Sequence, residues 1–233
     1  MSFYWDVPVI IVLGNGKSRL NFDLDKLSEC AITFGCNAIY RDFAPDILVT
    51  VDIPITHEIL STNYVRRNKL YTNISNSFTP EFRNEFEVKH MIENNVTNYK
   101  FLLNGVGNIT DPQHYITWYE KDDLLYDFPW KDDNWGMSAG ITAIRLAHVL
   151  YPDEKIILVG FDVFGERNNV YDGTDTYPPL GQRNTGETVG FLGGFDLLTT
   201  KYNKIEIERL SYTDDEIPNV KNITEKVLWQ QLK

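Results

Sequence analysis

Residues 8–18 read Pro-Val-Ile-Ile-Val-Leu-Gly-Asn-Gly-Lys-Ser, and this stretch decides the fold. Pro8 to Leu13 is a continuous apolar, β-branched run. Such a run fits a strand covered on both faces, as in a parallel sheet. Gly14-Asn15-Gly16 ends it abruptly, with Lys17 and Ser18 behind. In an open α/β sheet, ligands bind beyond the carboxyl ends of the strands. Glycines there let the backbone come close to an anion, and free amides hold phosphate. The alternative for Gly14 to Ser18 is a tight turn with no ligand, since Gly-Asn-Gly is also good turn chemistry. Two familiar phosphate motifs fail on spacing. A P-loop needs a glycine where this chain has Ile11. A dinucleotide fingerprint needs a small residue at Arg19, and an acid where Asn37 stands.

Further apolar runs follow at Ala31–Cys36, Ile47–Val51 and Lys155–Gly160, with weaker candidates at 69–72, 99–103 and 204–210. Helical patterns alternate with them. A short one covers Asp23–Glu29, and Thr79-Pro80 opens another that runs toward Asn94. Ser138 caps an amphipathic helix to Leu150. Phe191–Tyr202 and Asn222–Leu232 complete the set. This alternation predicts an α/β fold, doubly wound, with a mostly parallel sheet and helices on both faces. The polar and aromatic stretch 104–137 is a candidate lid, long for a loop unless it hides further elements. No repeat or linker stands out, so residues 1–233 read as one nucleotide-binding domain.

The bulk composition narrows the partners. The chain is 42% hydrophobic and 24% charged, an ordinary globular mix. Its formal net charge of −11 disfavours nucleic acid as a partner. No run approaches the ~18 apolar residues of a membrane span. The N-terminus has no basic signal region, and Cys30 and Cys36 read as reduced core thiols, so a cytoplasmic location is expected.

Asn37 and Asp52 follow the second and third strands, on the edge that carries the glycine turn. Asn37 can read a base or ribose through paired donor and acceptor groups. Asp52 can hold a ribose hydroxyl or a metal, and each residue can instead cap the next helix. Ser138-Ala139-Gly140 opens a helix with exposed amides, an anion site or a plain cap. Asp162 ends the Lys155–Gly160 run, and Tyr171, Asp172 and Asp175 follow in what reads as a loop over 165–190. Of the histidines, His114 is the one placed for catalysis. No Cys/His cluster has zinc spacing, and no metal site is expected.

Taken in order, Gly14-Asn15-Gly16-X-Ser18, Cys36-Asn37-Ala38, Ser138-Ala139-Gly140 and Leu158-Val159-Gly160-Phe161-Asp162 resemble bacterial CMP-sialic acid-dependent sialyltransferases. They also resemble related proteins of pterin-diphosphokinase type with the same Rossmann-like core. The first resemblance implies that Asn15, Gly16, Ser18 and Asn37 contact a CMP-sugar donor, with Ser138, Ala139 and Gly140 lining its site. It implies that Tyr171 holds the donor phosphate; a second such tyrosine falls at Phe164. The family's histidine base has no counterpart in Gln182–Glu187, which leaves Glu187, His114 and Asp162 as candidate bases, Asp162 reading more as a structural residue. A glycosyltransferase-like protein follows, with a nucleotide-sugar donor, a glycan acceptor and weak or absent catalysis. The alternatives are a Mg²⁺-dependent phosphotransferase using Asp52 and Asp162, or a non-catalytic binding protein on the same fold.

Overall fold

The computed structural model describes residues 9–60, 62–64, 67–72, 116–118, 138–164, 169–177 and 186–232. The chain divides into two compact units, one of residues 1–34 and 135–233, the other of residues 35–134.

The first unit is built on β1 (Val9–Leu13), flanked by β2 (Ala31–Cys36, which runs on into the second unit) and β6 (Ile156–Val159). Beyond β6 lie β7 (Ile207–Leu210) and β8 (Lys221–Ile223), giving the order β2-β1-β6-β7-β8. The pairs β1–β6, β6–β7 and β7–β8 are parallel, with Leu13 level with Val159. From β1 the chain steps to β2 through a 3-10 turn (Lys17–Asn21) and α1 (Leu24–Ser28). It later returns on the other side of β1. With right-handed crossovers this reversal winds helices onto both faces of the sheet. The fold is therefore α/β and doubly wound, Rossmann-like, and its switch point lies between β1 and β6.

The long apolar runs are strands because both their faces are covered. Ile10 to Leu13 and Ile156 to Val159 are fully buried. Each such side chain contributes roughly 1.5–3 kcal/mol relative to exposure. α3 (Ala139–Leu150) packs on β1 and β6 and against α4 (Gly186–Lys201). α3 departs from the amphipathic expectation. It is buried all round from Ala139 to His148, Arg145 included, whose Nε donates to the Tyr202 hydroxyl at 3.1 Å. α4 begins at Gly186, so the expected loop 165–190 ends earlier and the expected helix starts earlier. The expected terminal helix also divides. Lys221–Ile223 is the edge strand β8, and Thr224 then caps α5 (Glu225–Gln231).

The second unit holds β3 (Ile47–Thr50), α2 (Ile53–Leu60), β4 (Lys69–Thr72) and β5 (Ile116–Trp118). Its strands run parallel in the order β5-β4-β3. Part of the expected lid is therefore strand, and the rest of 104–137 lies outside the described residues. So do the expected helix 79–94 and strand 99–103. Among the described residues no helix is long and apolar enough to cross a membrane. The two thiols part company. Cys36 is buried as expected, but Cys30 is exposed, because it sits in the turn between α1 and β2 rather than in the strand.

One buried charge makes the first unit's stability depend on pH. Glu208 in β7 is 4% exposed and bonded to Lys221 Nζ and Gln231 Nε2, each at 2.8 Å, with Lys155 at 3.5 Å. Burial alone would raise its pKa, but the Lys221 and Gln231 hydrogen bonds and the two lysine charges outweigh it. The carboxyl is held below its usual range. A depressed folded pKa gives stability that is present above the unfolded value and lost as pH falls through the folded one. Glu208→Gln should therefore cost about 1–3 kcal/mol at neutral pH. That deficit should shrink below about pH 4, near the unfolded carboxyl range. Urea titrations of both proteins at several pH values measure it, and a constant deficit would remove Glu208 from the acid response.

Candidate functional site

In the first unit the residues after β1 meet those after β6. Gly14 N donates to Val159 O at 2.8 Å, and Gly16 N donates to Gly160 O at 2.9 Å. The amides expected to be open to phosphate at these two glycines thus continue the β1–β6 ladder instead. The glycines are required by the protein's own backbone. A Cβ on Gly14 would stand 2.4 Å from Gly160 O, and one on Gly16 would stand 2.5 Å from the Asp162 carboxyl.

Asp162 organises this corner. Its Oδ2 accepts from Ser18 N at 3.0 Å and its Oδ1 accepts from Ser18 Oγ at 2.5 Å. The carboxylate thus satisfies an amide at the start of the 3-10 turn, as a helix cap does. Ser18 and Asp162 are brought together, each with the other as partner. Lys17 stays exposed.

Asn169–Tyr177 folds back onto the glycine turn. Val170 N donates to Asn15 O at 2.8 Å, and Gly16 and Asn169 form an antiparallel bridge. Asn169 is itself braced. Its N–H donates to Asp172 Oδ2 at 2.8 Å and its Oδ1 accepts from Tyr171 N at 2.9 Å. Tyr171 is 6% exposed, and its hydroxyl accepts from Arg19 Nη2 at 2.6 Å. In the sequence Arg19 stands only as a departure from the dinucleotide fingerprint. It is in fact a buried cation at this strand end. Ser138 caps α3 by accepting from Ile141 N at 3.2 Å. Ala139 and Gly140 are buried, and a Cβ on Gly140 would stand 2.9 Å from the Phe161 ring.

In the second unit Asn37 and Asp52 are joined. Asn37 follows β2 at φ 50, in the left-handed region, and is 8% exposed. Its Nδ2 donates to Asp52 Oδ2 at 2.7 Å. A carboxylate only accepts, so this bond fixes which end of the amide is nitrogen. The other end, Oδ1, is buried with no hydrogen-bond partner among the described residues. Asp52 meanwhile opens α2, its carbonyl accepting from Thr56 N at 3.0 Å and Thr56 Oγ1 at 2.9 Å. Helix opening and contact with Asn37 are thus shared between the backbone and side chain of one residue. Next along the chain, Tyr40 and Arg41 both bond Glu58, at 2.5 and 2.6 Å. Burial and then Glu58 push the Tyr40 hydroxyl up to about 12. Burial does the same to the Cys36 thiol, raised to about 12, which keeps it protonated and a poor nucleophile.

The carboxylates named for magnesium each serve the chain itself, Asp162 for Ser18 and Asp52 for Asn37. Among the described residues no group of three His, Cys, Asp or Glu side chains is placed to hold a metal ion. Of the candidate bases, Glu187 lies in the first turn of α4, with its side chain outside the description, and His114 lies outside the described residues.

No protein-family model and no curated protein matches the sequence. Among solved structures, the chain is similar to a point mutant of the α-2,3/8-sialyltransferase CstII. Identity is 13%, the match covers 96% of this chain and 99% of that one, and the TM-score is 0.43.

Proposed function

We propose that this chain binds a nucleotide-activated sugar, a CMP-sugar first, and that Asn37 reads the base. The observation that carries this is the Asn37 carboxamide. Its nitrogen is committed to Asp52, and its buried oxygen has no hydrogen-bond partner among the described residues. An unmet buried acceptor costs about 1–3 kcal/mol, which a ligand N–H would recover. The left-handed backbone is a further cost, of the kind that gathers at functional sites. Cytosine offers an exocyclic amine to such an acceptor, whereas uracil presents a carbonyl there and leaves the acceptor unmet. The motif resemblance likewise implies that Asn37 contacts the nucleotide.

On this reading the second substrate is a glycan hydroxyl, which needs a base to become a good nucleophile. The histidine that the resemblance calls for is missing, and a general base contributes about 10²–10⁴ to rate. Sugar transfer is therefore expected to be slow, with Glu187 or His114 as the residual base.

Titration calorimetry with CMP and UMP tests the binding claim, and the expected result is CMP well ahead of UMP. Equal affinity for the two would remove Asn37 as a base reader. Release of CMP from CMP-sialic acid, with and without glycan acceptors, tests the catalytic claim in wild type, Glu187→Gln and His114→Ala. Fast transfer that survives both substitutions would overturn the placement of the base. Tight CMP binding without turnover would make the chain a binding protein.

A further inference from the structure

We infer that Asp52 is a positioning residue that decides which base is read, by fixing the direction of the Asn37 carboxamide; the inference rests on the nucleotide reading above. An amide has two ends of similar size and opposite hydrogen-bonding sense. Asn37 gives its Nδ2 end to Asp52 Oδ2 at 2.7 Å. Its Oδ1 end is buried and has no hydrogen-bond partner among the described residues. Both side chains belong to the second unit. The carboxylate stands on a fixed base. The Asp52 carbonyl accepts from Thr56 N at 3.0 Å and from Thr56 Oγ1 at 2.9 Å. Thr56 Oγ1 gives its one proton to that carbonyl, so it accepts from Thr50 Oγ1 at 3.1 Å, and Thr50 is the last residue of β3. The start of α2, which carries Asp52, is thereby tied to the end of β3.

The chemistry of this pair has a direction. A carboxylate carries acceptors only, so it takes the NH2 end of the amide and leaves the oxygen to face a ligand. Turning the amide over would set its oxygen against the Asp52 carboxylate. Cytosine and uracil differ at one ring position, an amine in the first and a carbonyl in the second. An amide oxygen matches the amine, and an amide NH2 would match the carbonyl. Asparagine at position 52 would have one donor end and one acceptor end, and so would impose no direction on Asn37. Exchanging the two residues should impose it again. With Asn37→Asp and Asp52→Asn together, the carboxylate stands at position 37 and offers only acceptors, while the amide at position 52 donates to it. Aspartate also tolerates the left-handed backbone at φ 50. Asp52 is exposed, so an isosteric change there opens no cavity.

The test is calorimetry with CMP and UMP on the full chain, because the ratio of the two affinities isolates the base. Wild type should prefer CMP. Asp52→Asn should lower the CMP-to-UMP ratio about tenfold, the effect of one buried hydrogen bond made or left unmade. The exchanged pair should return the ratio most of the way to the wild-type value. If Asp52→Asn does not fold, Asp52→Ala removes the same acceptor and should lower the ratio in the same direction. A merely structural Asp52 would lower thermal stability and both affinities together with the ratio intact, and that result overturns the inference. So does a ratio that falls in Asp52→Asn and is not restored by the exchange. Either result leaves the base reading by Asn37 standing. A wild type that binds CMP and UMP equally, or binds neither, overturns that reading itself, and the inference with it.

Discussion

Gly16→Val is expected to destabilise the first unit by about 3 kcal/mol or more, as overpacking into fixed backbone does. Its effect on ligand binding should come through that loss. The cost is not conformational, because Gly16 sits at φ −68 and ψ 147, which any residue adopts. It is steric. A Cβ would fall 2.5 Å from Asp162 Cγ and Oδ2 and 2.6 Å from Gly160 O. Asp162 cannot swing away cheaply, since both of its oxygens hold Ser18. Gly160 cannot retreat either. Its carbonyl accepts from Gly16 N, and it lies at φ +75, a conformation that favours glycine. Val adds two methyls to a position that already excludes one. Urea unfolding should show a lower midpoint at unchanged slope. A variant as stable as wild type that has lost nucleotide binding would mean that the glycine is kept open for ligand and not for β6.

That expectation marks where sequence reading stops. A glycine pair after a buried strand announces that something approaches closely, but the pattern is the same whether the visitor is a phosphate or the neighbouring strand. Here Gly160 and Asp162 are the visitors, and they lie almost 150 residues further on. The apolar runs themselves were legible. β1, β2, β3 and β6 fall where hydrophobic continuity puts them, because burial on both faces leaves a run with few polar interruptions. The Ser138 cap and the extent of α3 were legible for the same local reason. Short edge elements were not. β8 carries an exposed lysine and a half-buried asparagine, so Lys221-Asn222-Ile223 reads as polar helix start; the Thr224-Glu225 pair was the available cue for a later boundary. α2 was not expected, although Pro54 sits in its first turn, where proline is well tolerated.

Charges were the hardest to place. Arg19, Arg145 and Arg209 are all at most 2% exposed, against the usual preference of arginine for the surface. Each is bonded to a partner distant in the sequence or in a later turn: Tyr171, Tyr202, and the Asp215 carbonyl. A pattern rule assigns each residue from its neighbours in sequence, so a cation whose partner lies elsewhere defaults to the outside. The Asn37–Asp52 pair is different. Both stand out because both follow strands, but only the folded chain commits the amide nitrogen to Asp52 and leaves the amide oxygen with no partner among the described residues.

Replacing Asn37 should therefore remove base selectivity, with CMP affinity falling about 10- to 100-fold, the worth of a buried hydrogen bond whose partner is left unmet. Three substitutions separate the contributions. Asn37→Gly keeps the φ 50 backbone and deletes the amide, so it should lose CMP affinity with little loss of fold. Asn37→Ala deletes the amide and adds the left-handed penalty, roughly 1–2 kcal/mol of stability. Asn37→Asp puts a second carboxylate where Nδ2 now lies 2.7 Å from Asp52 Oδ2. Like charges at that distance cannot both ionise comfortably, so this variant should be the least stable near neutral pH and should recover as acid protonates the pair. UMP, with a carbonyl in place of the amine, should bind wild type weakly and be nearly indifferent to Asn37→Gly. The CMP-to-UMP ratio in that variant is the deciding measurement, because loss of fold would depress both ligands alike. A folded Asn37→Gly protein that still prefers CMP over UMP by the wild-type margin would show that the unmet oxygen reads no base.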